Sequence, residues 1–183
     1  MNDEVSMRTE QPKTIYLKDY QVPEYLIDET TLTFELYEDH TLVHAQLVMR
    51  RNPQAGAGLP PLVLDGQDLE LLSLSLNDRP LDQGAYQLTP STLTLQPDSE
   101  RFTLDSTVRI HPETNTALEG LYKSGTMFCT QCEAEGFRKI TWYLDRPDVM
   151  SSFTTTVSAD KQRYPVLLSN GNPIASGDGV AVG

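Results

Sequence analysis

Apolar residues recur at every second position through much of this chain, and short runs of turn-forming residues interrupt them. In the second half of the stretch Tyr25 to Glu38, Leu32, Phe34 and Leu36 face one way while Thr33, Glu35 and Tyr37 face the other, which is strand spacing. A polar break at Asp39-His40 is followed by a second β-rich run from Thr41 to Arg51, so the two predict an antiparallel hairpin. The Pro- and Gly-rich stretch Asn52 to Pro61 then ends regular structure. Shorter apolar runs follow at Leu62–Leu64, Leu69–Leu76, Tyr86–Leu88, Leu93–Leu95 and Phe102–Ile110, separated by turn residues such as Asp65-Gly66 and Asn77-Asp78. Leu72, Leu74 and Leu76 alternate with serines, which favours strand over helix. Ser151 to Asp160 and Tyr164 to Asn172 predict two further strands joined by a charged turn around Asp160-Lys161. No segment before Asn115 carries a helical period. The spacing therefore predicts an all-β, antiparallel sandwich, with a short helical or irregular loop near residues 134–150.

At 183 residues the chain has the size of one domain with a real core. Its leader, residues 1–13, is polar and predicted to be disordered, leaving 14–183 as the domain. Lys and Arg total 14 against 26 Asp and Glu, a net charge of −12. Nucleic acid is bound largely through basic side chains, so this balance argues against it, and against anionic membrane likewise. No apolar run reaches the roughly 18 residues of a membrane span, and the amino terminus has no apolar core of a secretion signal. Two cysteines give no disulfide framework, and with the missing signal they predict a cytoplasmic protein. The closing P-I-A-S-G-D-G-V-A-V-G offers no cap or closing helix, which predicts a cut inside a longer protein.

Chemistry-bearing residues concentrate between Cys129 and Asp148, in C-T-Q-C-E-A-E-G-F-R-K-I-T-W-Y-L-D-R-P-D. Cys129 and Cys132 have C-x-x-C spacing, but the helix of a redox site and the second ligand pair of a zinc knuckle are both missing. Were Met127 to Glu133 extended, the two Cα atoms would stand about 10 Å apart, beyond the reach of a disulfide, so two reduced thiols are expected. His40 and His44 mimic a helical zinc pair, yet H-T-L-V-H lacks the glutamate of H-E-x-x-H, and in a strand the imidazoles would be about 13 Å apart. Neither a G-x-S-x-G elbow nor a phosphate loop occurs. No catalytic or metal-ligating residue is expected. On an extended chain Gln131 and Glu133 would project from one face about 6.7 Å apart, a small amide-bearing acidic patch. The remaining charges, Glu135, Arg138, Asp145, Arg146 and Asp148, lie among Phe137, Trp142 and Tyr143, whose bulk suits a braced loop better than a solvated one.

N-T-A-L-E-G-L-Y-K-S-G from Asn115, the stretch from Cys129 to Met150 and the later Y-P-V-L-L-S-N-G-N together resemble the amino-terminal domain of the bacterial aminopeptidase N family of zinc metallopeptidases. The resemblance implies a saddle-shaped β-sandwich. It further implies that Gln131 and Glu133 match the family's Q-x-E element, with Glu133 binding the free amine of a peptide substrate and Gln131 beside it. Arg138, Asp145 and Arg146 would then brace the loop. H-E-x-x-H and G-x-M-E-N are absent from these residues, so the zinc and the attack on the carbonyl would belong to a catalytic domain of the same chain, and this portion alone would be inactive with no cofactor. The rival expectations are a stand-alone β-sandwich interaction module and, within the resemblance, an epoxide-hydrolase relative on the same scaffold.

Overall fold

A computed structural model describes residues 17–179; the expected leader at 1–13 lies outside them. Among the described residues eleven strands form three sheets. The largest has six strands in the order β11-β1-β2-β8-β4-β5, from β1 (Tyr25–Leu36), β2 (Thr41–Arg51), β4 (Glu70–Leu76), β5 (Arg79–Pro80), β8 (Arg101–Ile110) and β11 (Ser152–Ala159). A second sheet has the order β3-β7-β6, from β3 (Leu62–Asp65), β6 (Tyr86–Leu88) and β7 (Thr92–Leu95). The third is the hairpin of β9 (Gly120–Ser124) and β10 (Met127–Gln131). Apart from single 3₁₀ turns, the described residues contain no helix.

One core joins these layers. Alternate residues of the large sheet, among them Leu32, Phe34, Val43, Leu47, Leu104 and Val108, meet Leu62, Leu64, Leu93 and Leu95 of the second sheet, and Leu121 and Trp142 close one end. Each strand buries one side because successive side chains point to opposite faces. In β1 the buried parity changes: Tyr25 and Ile27 are buried, then Thr30, Leu32 and Phe34. A register shift between Ile27 and Glu29 in the pairing with β2 inserts one residue and turns both sets inward. That shift is why only the second half of this stretch alternates in sequence.

The structure corrects four expectations. The sheet is mixed, because β11 runs parallel to β1, with Glu29 opposite Ser152 and Leu36 opposite Ala159; a period of two records which face a residue takes and not which way its neighbour runs. Leu72 does not share the face of Leu74 and Leu76, since a register shift between Leu71 and Ser73 leaves it exposed. Tyr164 to Asn172 forms no strand: among the described residues no strand pairs with it, and the Tyr164 amide instead closes a turn on the Asp160 carbonyl at 2.8 Å. Finally, the chain is extended only to Gln131, not to Glu133.

Candidate functional site

The hairpin β9–β10 delivers Gln131 to its mouth, opposite Gly120, and a tight turn begins immediately after it. The amide of Gly136 donates to the carbonyl of Cys132 at 2.8 Å. Gly136 must lack a side chain, since a Cβ there would lie 2.7 Å from the carbonyl oxygen of Gln131 and 3.0 Å from Cys132 Cα. Gly120, at φ +70°, takes the left-handed conformation glycine tolerates, and a Cβ on it would strike Lys139 Cβ at 2.6 Å. Two glycines thus let the hairpin mouth sit directly on the turn.

Within that turn Gln131 and Glu133 are both exposed and no longer share a strand face. They are joined differently, because the Gln131 side-chain amide donates to the backbone carbonyl of Glu133 at 3.3 Å. The Glu133 carboxylate itself has no hydrogen bond or ion pair among the described residues, so it is available to a cation from outside. Glu135, two residues on, is already engaged by Arg138 at 3.1 Å.

Arg138 and Asp145 come together beneath the turn. Asp145 is buried, and its Oδ2 accepts from the Arg138 Nε at 2.9 Å and from the Arg138 backbone amide at 3.1 Å, while the guanidinium also donates to the Asp145 carbonyl. Asp65, at the end of β3, joins them: its Oδ2 accepts the Asp145 amide at 3.3 Å, and its backbone exchanges two hydrogen bonds with Tyr143 at 2.8 and 3.0 Å. Burial holds the Asp65 carboxyl above its ordinary range, against the opposing pull of the Arg138 charge. Nothing in the sequence singled out Asp65, because its partners lie about 80 positions away.

Arg146 stands apart from this group. It grips Asp148 with two bonds of 2.7 Å and donates to the Gln21 carbonyl at 2.8 Å, and Tyr20 donates to the same Asp148. Phe137 and Tyr143 stack edge to face at 4.6 Å between ring centres, with Trp142 buried beside them. The aromatic bulk expected to pack around the charges is therefore present.

Both cysteines are free thiols. Burial, and secondarily the charge of Asp145, pushes the Cys132 thiol up to about 11, so it stays protonated and unreactive at neutral pH. His44 bonds Glu35 and Thr107, whereas His40 bonds Asp39 and stacks on Tyr37, so the two imidazoles serve separate partners. Among the described residues no three His, Cys, Asp or Glu side chains are placed to share a metal ion. A surface depression of about 520 Å³ is lined by Arg51 and the 55–60 loop, with none of the candidate residues in it.

Residues 20–180 match the family described as the peptidase M1 N-terminal domain. Aminopeptidase N of Escherichia coli K12 is 49% identical over 170 residues, 93% of this chain and 19% of that protein. Aminopeptidase A of Legionella pneumophila, solved in complex with aspartic acid, superposes with a TM-score of 0.81 at 34% identity over 87% of this chain and 19% of its own. An M1 zinc metallopeptidase from Deinococcus radiodurans, solved with a Tyr-Ser-Ala substrate, shares the fold at a TM-score of 0.60 and 17% identity, over 74% of this chain and 33% of its own. The chain spans about a fifth of the curated relative it matches.

Proposed function

The chain belongs to the peptidase M1 N-terminal domain family, and from that premise we propose that it is the substrate-anchoring domain of a zinc-dependent aminopeptidase that removes single amino-terminal residues from peptides. The observation that carries the reading is the free carboxylate of Glu133. It is exposed, uncompensated and set on a turn that two glycines and the Arg138–Asp145–Asp65 network hold in place.

A peptide α-ammonium carries three donors and one positive charge, and a charge-assisted hydrogen bond to a carboxylate contributes about 1.5–3 kcal/mol. Exposure reduces that figure in this domain alone; a second wall that excludes water restores it. Glu133 would therefore fix where the amino terminus lies, and a fixed terminus determines which peptide bond meets the reacting centre. Gln131 holds the Glu133 carbonyl and so steadies the backbone that carries the carboxylate, as well as lining the patch. Arg138 and Asp145 brace the turn from below, while Arg146 braces its exit by tying Asp148 to the segment at Tyr20 and Gln21.

Zinc and the general base belong, in this reading, to a catalytic domain of the same polypeptide, and the domain alone does not hydrolyse peptides. We place the enzyme in the cytoplasm because its two cysteines supply no disulfide framework; no helix among the described residues is long and apolar enough to cross a membrane.

The test is Glu133→Gln in the full-length enzyme. Zinc content should be unchanged and kcat/KM for a peptide with a free amino terminus should fall about tenfold or more, the equivalent of one charge-assisted bond. Unaltered kinetics would remove Glu133 from the site.

A further inference from the structure

Among the described residues, four other than glycine take a positive φ: Asp68, Asn77, Asp78 and Leu118. Aspartate and asparagine tolerate that region because their short polar side chains bond the local backbone, but a leucine there is an outlier whose Cβ crowds the following carbonyl. Leu118, at φ +58°, is also 58% exposed. Its turn is built to hold it so. The Asn115 side-chain amide donates to the carbonyls of Glu119 at 2.7 Å and Leu121 at 2.9 Å, and its Oδ1 accepts the Ala117 amide at 3.1 Å, so one side chain closes the turn on both sides of Leu118. Glu119 in turn pairs with Lys139 at 3.4 Å. Glycine at 118 would relieve the backbone and a polar residue would suit the solvent. The leucine does neither, and strained residues that their surroundings over-determine cluster at ligand contacts.

Its place in the fold identifies the contact. Gly120, two residues on, is the partner of Gln131 across the hairpin mouth, and its amide nitrogen lies 3.2 Å from where a Cβ on Gly136 would stand. The backbone of the Leu118 turn therefore touches the turn that carries Glu133. Two residues of chain span at most about 7 Å, and an extended peptide advances about 3.4 Å per residue, so a peptide whose amine rests on Glu133 brings its first side chains within reach of Leu118. Met127, the exposed large apolar residue of the hairpin itself, stands at the closed end opposite Ser124. The exposed neighbours of Leu118 are Thr116, the small Ala117 and the charged Glu119, so it is a single apolar contact and not part of the broad apolar patch that a packed interface presents.

We propose that Leu118 is a specificity-determining residue: its side chain forms an apolar wall against one of the first two side chains of the peptide held at Glu133, and the enzyme therefore favours a large apolar residue at that position. The proposal rests on the reading of Glu133 as the amine anchor. Asn115 is a positioning residue for the same contact, since its three bonds hold the turn in the shape that presents Leu118.

Leu118→Gly and Leu118→Asn in the full-length enzyme test it, because both residues accept the left-handed backbone and neither keeps the apolar wall. Agreement between the two separates loss of the side chain from the looseness that glycine brings. Rates are compared for tripeptides carrying leucine or alanine at the first position, and then at the second. At one of these positions the leucine-to-alanine ratio of kcat/KM should fall about fivefold or more in both variants. An unchanged ratio at both positions overturns the proposal, and a Tm lowered by several degrees alongside it assigns Leu118 to an internal contact of the enzyme. Glu133→Gln, measured on the same peptides, should slow all of them alike. Failure of the amine anchor therefore shows as unaltered Glu133→Gln kinetics, and failure of the Leu118 contact as an unaltered ratio.

Discussion

Gly66 lies flat against the indole of Trp142, and a Cβ at that position would come within 2.2 Å of two ring carbons. Gly66→Ala must push the buried ring aside, and overpacking of this kind costs about 1–3 kcal/mol. The denaturation midpoint of the variant should fall accordingly, with the β3–Tyr143 junction the first region to lose exchange protection. Its neighbour Asp65 has the opposite sensitivity. Because burial raises its carboxyl pKa in the fold, its charge opposes folding at neutral pH, and that opposition disappears as pH falls through the raised value toward the unfolded one. Asp65→Asn keeps an acceptor for the Asp145 amide, so it should be at least as stable as the parent at pH 7. The difference should close near pH 4, as urea titrations at the two pH values would show. Residue-level legibility was uneven: Gln131, Glu133, Arg138 and Asp145 stand close in sequence and carry a motif, whereas Asp65 reaches them only through the fold. The turn that ends β10 was hidden too, because its cause is a pair of glycines whose contacts lie across the hairpin mouth.

Between elements, the turn at Glu38 is the principal tie. Its carboxylate meets Lys123 of β9 at 3.0 Å, Arg163 at 3.0 Å and the hydroxyl of Tyr164 at 2.8 Å, and these bonds draw its pKa down to about 2. Lys123 also sits over the rings of Phe128 and Tyr164. The sign follows from the lowered value: the tie stabilises the fold above the ordinary glutamate range near pH 4.5 and is lost as pH falls toward 2. Glu38→Gln should therefore narrow the gap between stability at pH 5 and at pH 2, measured by urea midpoint, and should loosen the 160–164 segment at pH 5 and above. Most strands were legible because alternation reports one-sided burial directly. Where a register shift intervenes, as at Asp28 and Leu72, the alternation breaks although the strand continues. In 164–172 a short apolar run, Val166 to Leu168, is present without a strand, since an apolar run alone supplies no strand to pair with.

At the scale of the molecule, one core runs through three sheets, and the piece that would hold a substrate amine is perched at its end on a two-stranded hairpin rather than within a sheet. Sequence reasoning reached the all-β class and the family but not the mixed direction of the large sheet, because strand polarity is decided by the route of the chain between β8 and β11. That route also sets a schedule for synthesis. β2 follows β1 at once, but β11, which covers the other edge of β1, is made about 120 residues later. At ribosomal rates of roughly 5–20 residues per second the nascent chain waits about 6–24 s before that edge can be covered. Through this interval β1 presents one uncovered edge to the cell, so the earliest hazard in the life of this protein is association between unfinished chains on neighbouring ribosomes.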